Sequence, residues 1–587
     1  MIIFNFVKAM NRIVTFNTLL ETVEMRKKKT FFLIAFIIVT IIFQSNSFAQ
    51  TYGKNGMVVS DNTAASNVGV DILKKGGNAI DASVATAFAL AVTHPQAGNI
   101  GGGGFLVYMD KKGKATTIDF REKAPLLATS DMYLDDSGKL IEKSNHIGLR
   151  TVGVPGTVAG LYLAHQKYGA LPWVELVQPS IDLAENGVVL SWTLAEQAKR
   201  ISASSEPEFL KNYFKNSDGE INQHGDLWIQ QNLANTLKLI RDNGHDGFYK
   251  GVVANEIVAF MKANGGIITL EDLNKYEAIE REPISGTYKE YNILSMPPPS
   301  SGGVAIVEML NIMEQANLDS IKFNSTEYVH LLAEAMRRTY ADRAEHLGDS
   351  DFKPDMPIDK LTSKGFAKMR YKNIDLNKAS VSDSTKFGQI YDSKNTTHLS
   401  VIDKNGNAVS LTYTLEQSYG SGLGSTKLGF IFNNEMGDFN PQPSFTNSGW
   451  LIGTNPNIIQ PEKRMLSSMS PTIVTKEGKP YLIIGSPGGR TIINTVFQTI
   501  LNVIEYEMPI DKAIEAMKIH HQWMPDKLVY EIDLMSPDTK KALEQMGHNL
   551  QERKNLGRLM GILCPTESDV YIGAADSSSP DGGAVGY

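Results

Sequence analysis

One cysteine, Cys564, stands alone in 587 residues, which excludes an internal disulfide framework, and its place near the C-terminus excludes a lipoprotein anchor. Positive charge is short as well. Lys and Arg number 57 against 64 Asp and Glu, and the resulting net charge of -7 offers no field for a nucleic-acid backbone. The chain shows no internal repeat and no low-complexity tract. No apolar stretch beside a basic run reaches the roughly 20 residues that span a bilayer.

What is present near the start reads as a leader. Met25 opens a basic run, Arg26 to Lys29, followed by an apolar stretch from about Phe31 to Phe43 and small residues at Ser47 and Ala49 before Gln50. Residues 25–49 are therefore expected to be a signal peptide, residues 1–24 to lie upstream of the native start, and the mature protein to be periplasmic or secreted.

With 42% hydrophobic residues the mature chain can bury a large core, and its pattern mixes helix and strand in one unit. Asp61 is placed to cap a helix carrying Ala65, Val68 and Ile72 on one face, with Gly76-Gly77 ending it. Residues 81–92 are apolar nearly all round and predict an interior helix, leading through Gly101 to Gly104 into a strand at Phe105 to Met109. No Walker lysine follows those glycines, so phosphate binding is rejected. Residues 155–290 read as helical scaffold.

The last third carries the chemistry. Thr396 to Asp403 and Asn407 to Thr414 flank Lys404-Asn405-Gly406, a hairpin signal with glycine available for the left-handed position. A three-residue loop sets Thr396 opposite Thr414. It gathers His398, Ser400, Ser410 and Thr412 on one face and Leu399, Val401, Val409, Leu411 and Tyr413 on the other. Further on, a strand at Tyr481 to Ile484 runs into Gly485-Ser486-Pro487-Gly488-Gly489 and a helix with Ile492, Val496 and Ile500 on one side. Glycines at a helix start let backbone N–H groups point at an anion. Between these segments lie the carboxylates Glu435 and Asp438 and the hydroxyl cluster Ser467-Ser468-Met469-Ser470. His520 and His521, if helical, diverge by about 100° and make a poor joint metal site.

At this point the chain resembles the γ-glutamyltranspeptidase (glutathione hydrolase) family over nearly all of its mature length. The landmarks are Thr93-His94-Pro95-Gln96-Ala97-Gly98-Asn99-Ile100 with four glycines after it, Asp119-Phe120-Arg121-Glu122, Pro297-Pro298-Pro299-Ser300-Ser301-Gly302-Gly303 and Tyr340-Ala341-Asp342-Arg343. Thr396-Thr397-His398, Asn433-Asn434-Glu435-Met436, Leu466 to Pro471, Gly485 to Gly489 and His520-His521-Gln522-Trp523 complete the series.

The resemblance implies an α+β fold, the four-layer αββα sandwich of N-terminal-nucleophile hydrolases. It also implies a precursor that cuts itself between Asn395 and Thr396 into a large subunit, 50–395, and a small subunit, 396–587, which remain together as a heterodimer. Thr396 would be the nucleophile, with its freed α-amine as general base, and Thr414 would orient it. An α-amine titrates near 7.7 to 8, so maturation would create the base that an amide nitrogen cannot supply. By the same resemblance Arg121, Ser467 and Ser468 would hold the substrate α-carboxylate, and Glu416, Glu435 and Asp438 would face its α-ammonium. The N–H groups of Gly488 and Gly489 would form the oxyanion hole. Expected substrates are glutathione and other γ-glutamyl compounds, with water, amino acids or dipeptides as acceptors and no metal or organic cofactor.

Three departures stand out. Many members carry Asn where this chain has Glu416; a usual Asp-Pro-Arg reads Asp576-Ser577-Ser578; and a frequent arginine before the paired histidines is Lys518. Residues 440–454 resemble the lid loop of some members. Two other readings remain: a glutaryl or cephalosporin acylase on the same scaffold, and a processing-dead surface protein that binds γ-glutamyl peptides.

Overall fold

The hairpin at Thr396 forms in the expected register. Thr396–Asp403 pairs antiparallel with Ala408–Thr414, Thr396 lying opposite Thr414 and Ser400 opposite Ser410. The turn is built by Asp403, whose carboxylate accepts from the N–H groups of Asn405 at 2.8 Å and Asn407 at 3.1 Å, while Gly406 takes φ +85°. The computed structural model describes residues 50–382, 396–442 and 455–587, all within one unit. Asn395, the expected leader and most of the expected lid segment lie outside the described residues.

Two seven-stranded antiparallel sheets stack face to face. The Thr396 hairpin occupies the middle of one, flanked by Gly56–Ser60 and Gly103–Met109. The middle of the other holds Thr472–Lys476, Lys479–Gly485 and Met560–Leu563. Between them lies an apolar layer that includes Val59, Val107, Ile402, Ile473, Ile483 and Ile562. The hairpin's outer face, Leu399, Val401, Val409, Leu411 and Tyr413, packs in the core that holds the fully buried helix Ala79–Thr93. The second sheet is covered by the helices Gly302–Met313, Thr326–His346 and Thr491–Ile504. Helix, sheet, sheet, helix is the expected αββα order.

Alternating polarity in a strand often means that one face meets water. Here both faces are buried, and the polar one bridges the sheets. Ser410 Oγ donates to Ile484 O at 3.0 Å, and His398 Nδ1 lies 2.8 Å from Thr412 Oγ1. The run of glycines at 101–104 is explained by close approach: a methyl group on Gly101 would overlap the Ile431 carbonyl oxygen, and one on Gly102 that of Thr414.

Two local expectations are corrected. Asn62, not Asp61, caps the helix Thr63–Lys74, its side chain accepting from Ala64 N at 3.0 Å. Asp61 faces inward and is fully buried. His520 lies in the short strand Ile519–His520, not in a helix, because the segment pairs with Leu528–Glu531. The two histidines still diverge: His520 meets Asn494 at 2.7 Å and His521 meets Asp526 at 3.2 Å.

Candidate active site

A pocket opens where the ends of both sheets meet, and Thr396, Thr414, Arg121, Glu435, Asp438, Ser467, Ser468 and Gly489 all line it. Residues distant in sequence thus converge as the resemblance implied. Two of the expected residues do not line it. Gly488 faces the neighbouring cavity with Arg553 and Arg558, and Glu416 lies behind the wall, its carboxylate 3.6 Å from His146 Nδ1.

Thr396 begins its strand at 2% exposure, directly across from Thr414. The Thr414 hydroxyl accepts from the N–H of Glu416 at 2.9 Å, so its own proton points to a different partner. That contact depends on the backbone of Glu416, held at φ +78°.

Hydrogen-bond direction sets what the serines can do. Ser467 Oγ accepts from Met469 N at 3.1 Å, and Ser468 Oγ accepts from Arg343 Nη2 at 3.1 Å. Neither hydroxyl donates to a described residue, so both carry a proton for a ligand acceptor. The turn after the strand Lys479–Gly485 offers more donors. Gly488 and Gly489 take φ +135° and +61°, and their carbonyls accept from Thr491 Oγ1 and Ile492 N. Their own N–H groups donate to no described residue; Gly489 lines the pocket and suits a developing oxyanion there, while Gly488 lies on the neighbouring cavity.

Charge is unevenly distributed. Arg121, buried to 1%, meets Glu435 at 2.6 Å, Asp438 at 2.5 Å and Glu122 at 3.5 Å. Burial alone would lower its pKa, but these three carboxylates outweigh it and hold the guanidinium charged. Burial pushes Glu435 well above the usual carboxylate range and Glu122 up to about 8, with Arg121 opposing both shifts. Burial also raises Glu416. Three carboxylates thus share one guanidinium, and a second cation beside them would draw Glu122 and Glu435 back toward their charged forms.

The sequence reading missed three polar residues of the lining, Arg343, Asn457 and Arg490, and had Asn440 only as the first residue of the expected lid segment. Arg343 was visible within the Tyr340 to Arg343 landmark, though without a role. Elsewhere His330, Glu334 and His548 bring ligand-type atoms within 4.8 Å of one another. The histidines bond to each other at 2.8 Å and Glu334 is engaged by Arg337, Arg338 and Ser380, which leaves only the buried His548 Nδ1 of this cluster without a described partner.

The stacked sheets, with a threonine opening a central strand at the pocket, define an N-terminal-nucleophile hydrolase. A cephalosporin acylase from Bacillus halodurans superposes with a TM-score of 0.79 at 26% identity, covering 93% of this chain and 98% of its own. The family profile described as "Gamma-glutamyltranspeptidase" matches residues 65–586. The chain belongs to the γ-glutamyltranspeptidase family. It is 46% identical over 548 residues to the "Glutathione hydrolase proenzyme" of Escherichia coli (strain K12), covering 93% of this chain and 94% of the relative. A solved γ-glutamyltranspeptidase from Helicobacter pylori is also 46% identical, with a TM-score of 0.52, and aligns over 54% of this chain and 91% of its own.

Proposed function

We propose that this protein is a γ-glutamyltransferase and glutathione hydrolase, made as a precursor that cuts itself between Asn395 and Thr396. The observation that carries the reading is that a strand-opening threonine shares one pocket with a carboxylate-rich wall and two serine hydroxyls that lack acceptors. Such a wall fits an α-ammonium group, and such serines fit an α-carboxylate.

In the cut protein the hydroxyl of Thr396 attacks the γ-carbonyl of the donor while its α-amine takes the hydroxyl proton. The N–H group of Gly489 stabilises the oxyanion, with Gly488 beside it contributing only if the turn shifts toward the pocket, and Thr414 orients the nucleophile. Collapse of this intermediate expels the amine, cysteinylglycine in the case of glutathione, which takes a proton as it leaves. Water or the amine of an amino acid or dipeptide then resolves the γ-glutamyl ester and restores Thr396. The solved H. pylori chain aligns over 91% of its own length yet reaches only 54% of this one, which supports a mature protein made of two pieces. Export through the segment 25–49 belongs to the same proposal; among the described residues no helix is long and apolar enough to cross a membrane.

The test is the mass and N-terminal sequence of the denatured fragments of wild type and Thr396→Ala, followed by a γ-glutamyl release assay. The expected result is two wild-type fragments, the smaller starting at Thr396, with the variant whole and inactive. A wild type that stays whole and releases no γ-glutamyl product overturns the enzyme reading in favour of a binding protein.

A further inference from the structure

Arg343 stands on the pocket wall with no described carboxylate in contact with it. It lies near the end of the helix Thr326–His346 and is 6% exposed. Its Nε donates to Ser301 Oγ at 2.7 Å and its Nη2 to Ser468 Oγ at 3.1 Å, while Nη1 donates to no described residue. The other deeply buried arginines are matched: Arg121 by Glu435, Arg337 by Glu334 and Arg464 by Asp119. No described Asp or Glu comes within ion-pair distance of Arg343, and burial pulls its pKa down, with Tyr340 and the more distant Asp438 opposing the shift. An unpaired buried cation is costly, and an anionic ligand would remove that cost.

Its bonds also brace the serine turn. Ser301 Oγ donates to the Ser467 carbonyl at 2.7 Å, the Ser301 N–H reaches the same oxygen at 2.9 Å, and the Ser467 N–H donates to Pro299 O at 2.8 Å. One guanidinium therefore steadies both Ser467 and Ser468. Because a guanidinium can only donate, the Ser468 oxygen must accept from it, and the Ser468 proton is turned to another acceptor. No described group takes that proton.

We propose that Arg343 is a specificity-determining cation of the donor site, supplying the charge that pairs with the substrate α-carboxylate and directing the Ser468 hydroxyl toward it. Arg121, already met by Glu435 and Asp438, shares that work instead of doing it alone. This inference rests on the γ-glutamyl reading above: two cations, Arg343 and Arg121, meet the carboxylate end of the zwitterion, and the carboxylates of the wall meet its ammonium end.

The experiment compares fully cut wild type, Arg343→Met and Arg343→Lys on two anilides, γ-L-glutamyl-p-nitroanilide and 4-aminobutyryl-p-nitroanilide, which lacks only the α-carboxylate. For Arg343→Met, kcat/KM on the γ-glutamyl anilide is expected to fall about 10- to 100-fold, chiefly through KM, as for the loss of a charge-assisted bond. The decarboxylated anilide should change less than about threefold, and Arg343→Lys should recover part of the loss. An equal fall on both anilides would make Arg343 a scaffold residue and overturn the proposal, as would no fall on either.

If Arg343→Met stays uncut, Arg343→Lys decides alone, its loss confined to the γ-glutamyl anilide or shared by both. If wild type cleaves neither anilide, the γ-glutamyl reading has failed. Calorimetric binding of L-glutamate to wild type and Arg343→Lys then judges Arg343 separately: weaker binding by the variant supports the proposal, and equal binding overturns it.

Discussion

Thr397 donates its hydroxyl to the buried carboxylate of Asp61 at 2.8 Å, one residue from the Thr396 that opens the strand. The same carboxylate receives the Ser579 hydroxyl at 2.7 Å and lies 3.4 Å from the His398 N–H. Burial would raise Asp61, but Arg558, His94 and these hydroxyls overcome it, and its pKa falls below the usual carboxylate value. Asp61 thus ties the start of the Thr396 strand to the C-terminal segment. If the chain is cut as proposed, Thr396 becomes a new terminus, and terminal residues fray unless held.

Asp61→Ala leaves the Thr397 and Ser579 hydroxyls without their acceptor inside the protein. The expected cost is about 2–4 kcal/mol of stability, together with slower cutting. Urea unfolding of Asp61→Ala in the uncut Thr396→Ala background, against Thr396→Ala alone, measures the first, and the rate of fragment appearance in Asp61→Ala alone measures the second. Unchanged midpoints and unchanged cutting would remove Asp61 from this role.

Much of this site was legible before the structure. The Thr396 hairpin was readable because loop length and alternation fix register together: slipping by one residue would send Leu399 and Val401 to the polar face. The helix at 81–92 declared itself by lacking a polar side. Asp61 was misread because Asp is a good helix cap and Asn62, one place on, is another; local propensity cannot tell which faces the interior. The ammonium and carboxylate ends of the site look separate in sequence. In the structure Arg121 pairs with Glu435 and Asp438, a charge balance that exists only after folding. The same holds for Lys518, which departs from a frequent arginine yet reaches Asp576 at 3.3 Å and so keeps a cation beside that carboxylate.

Asp438 lies on the pocket wall, half-buried, with Arg121 at 2.5 Å. If its carboxylate receives the α-ammonium, Asp438→Asn should lower kcat/KM on γ-L-glutamyl-p-nitroanilide by about 100-fold. Glutaryl-p-nitroanilide lacks that ammonium, and its turnover should change by less than about threefold. The ratio of the two rates is the informative quantity. An equal loss on both substrates would mean that Asp438 serves only to hold Arg121, and a wild type already faster on the glutaryl anilide would favour the acylase reading.

His398 provides a test that depends on pH. It is fully buried between the sheets, bonded to Thr412 at 2.8 Å and Ser400 at 3.1 Å, and burial lowers its pKa to about 3, with Asp61 opposing the shift. An unfolded histidine titrates near 6.5. Above that pH neither state holds the extra proton, and His398 adds no pH dependence. Between about 6.5 and 3 the unfolded chain binds a proton that the folded chain refuses, so stability falls as pH falls. In the uncut Thr396→Ala background, His398→Gln should start less stable at pH 7.5 because the Thr412 and Ser400 contacts are altered. On acidification it should lose stability more slowly than its parent, by roughly one proton's worth of slope. Urea midpoints measured from pH 7.5 to 4.5 on both proteins give the comparison. Parallel curves over that range would mean that His398 takes up its proton in the folded state, against its position between the two sheets.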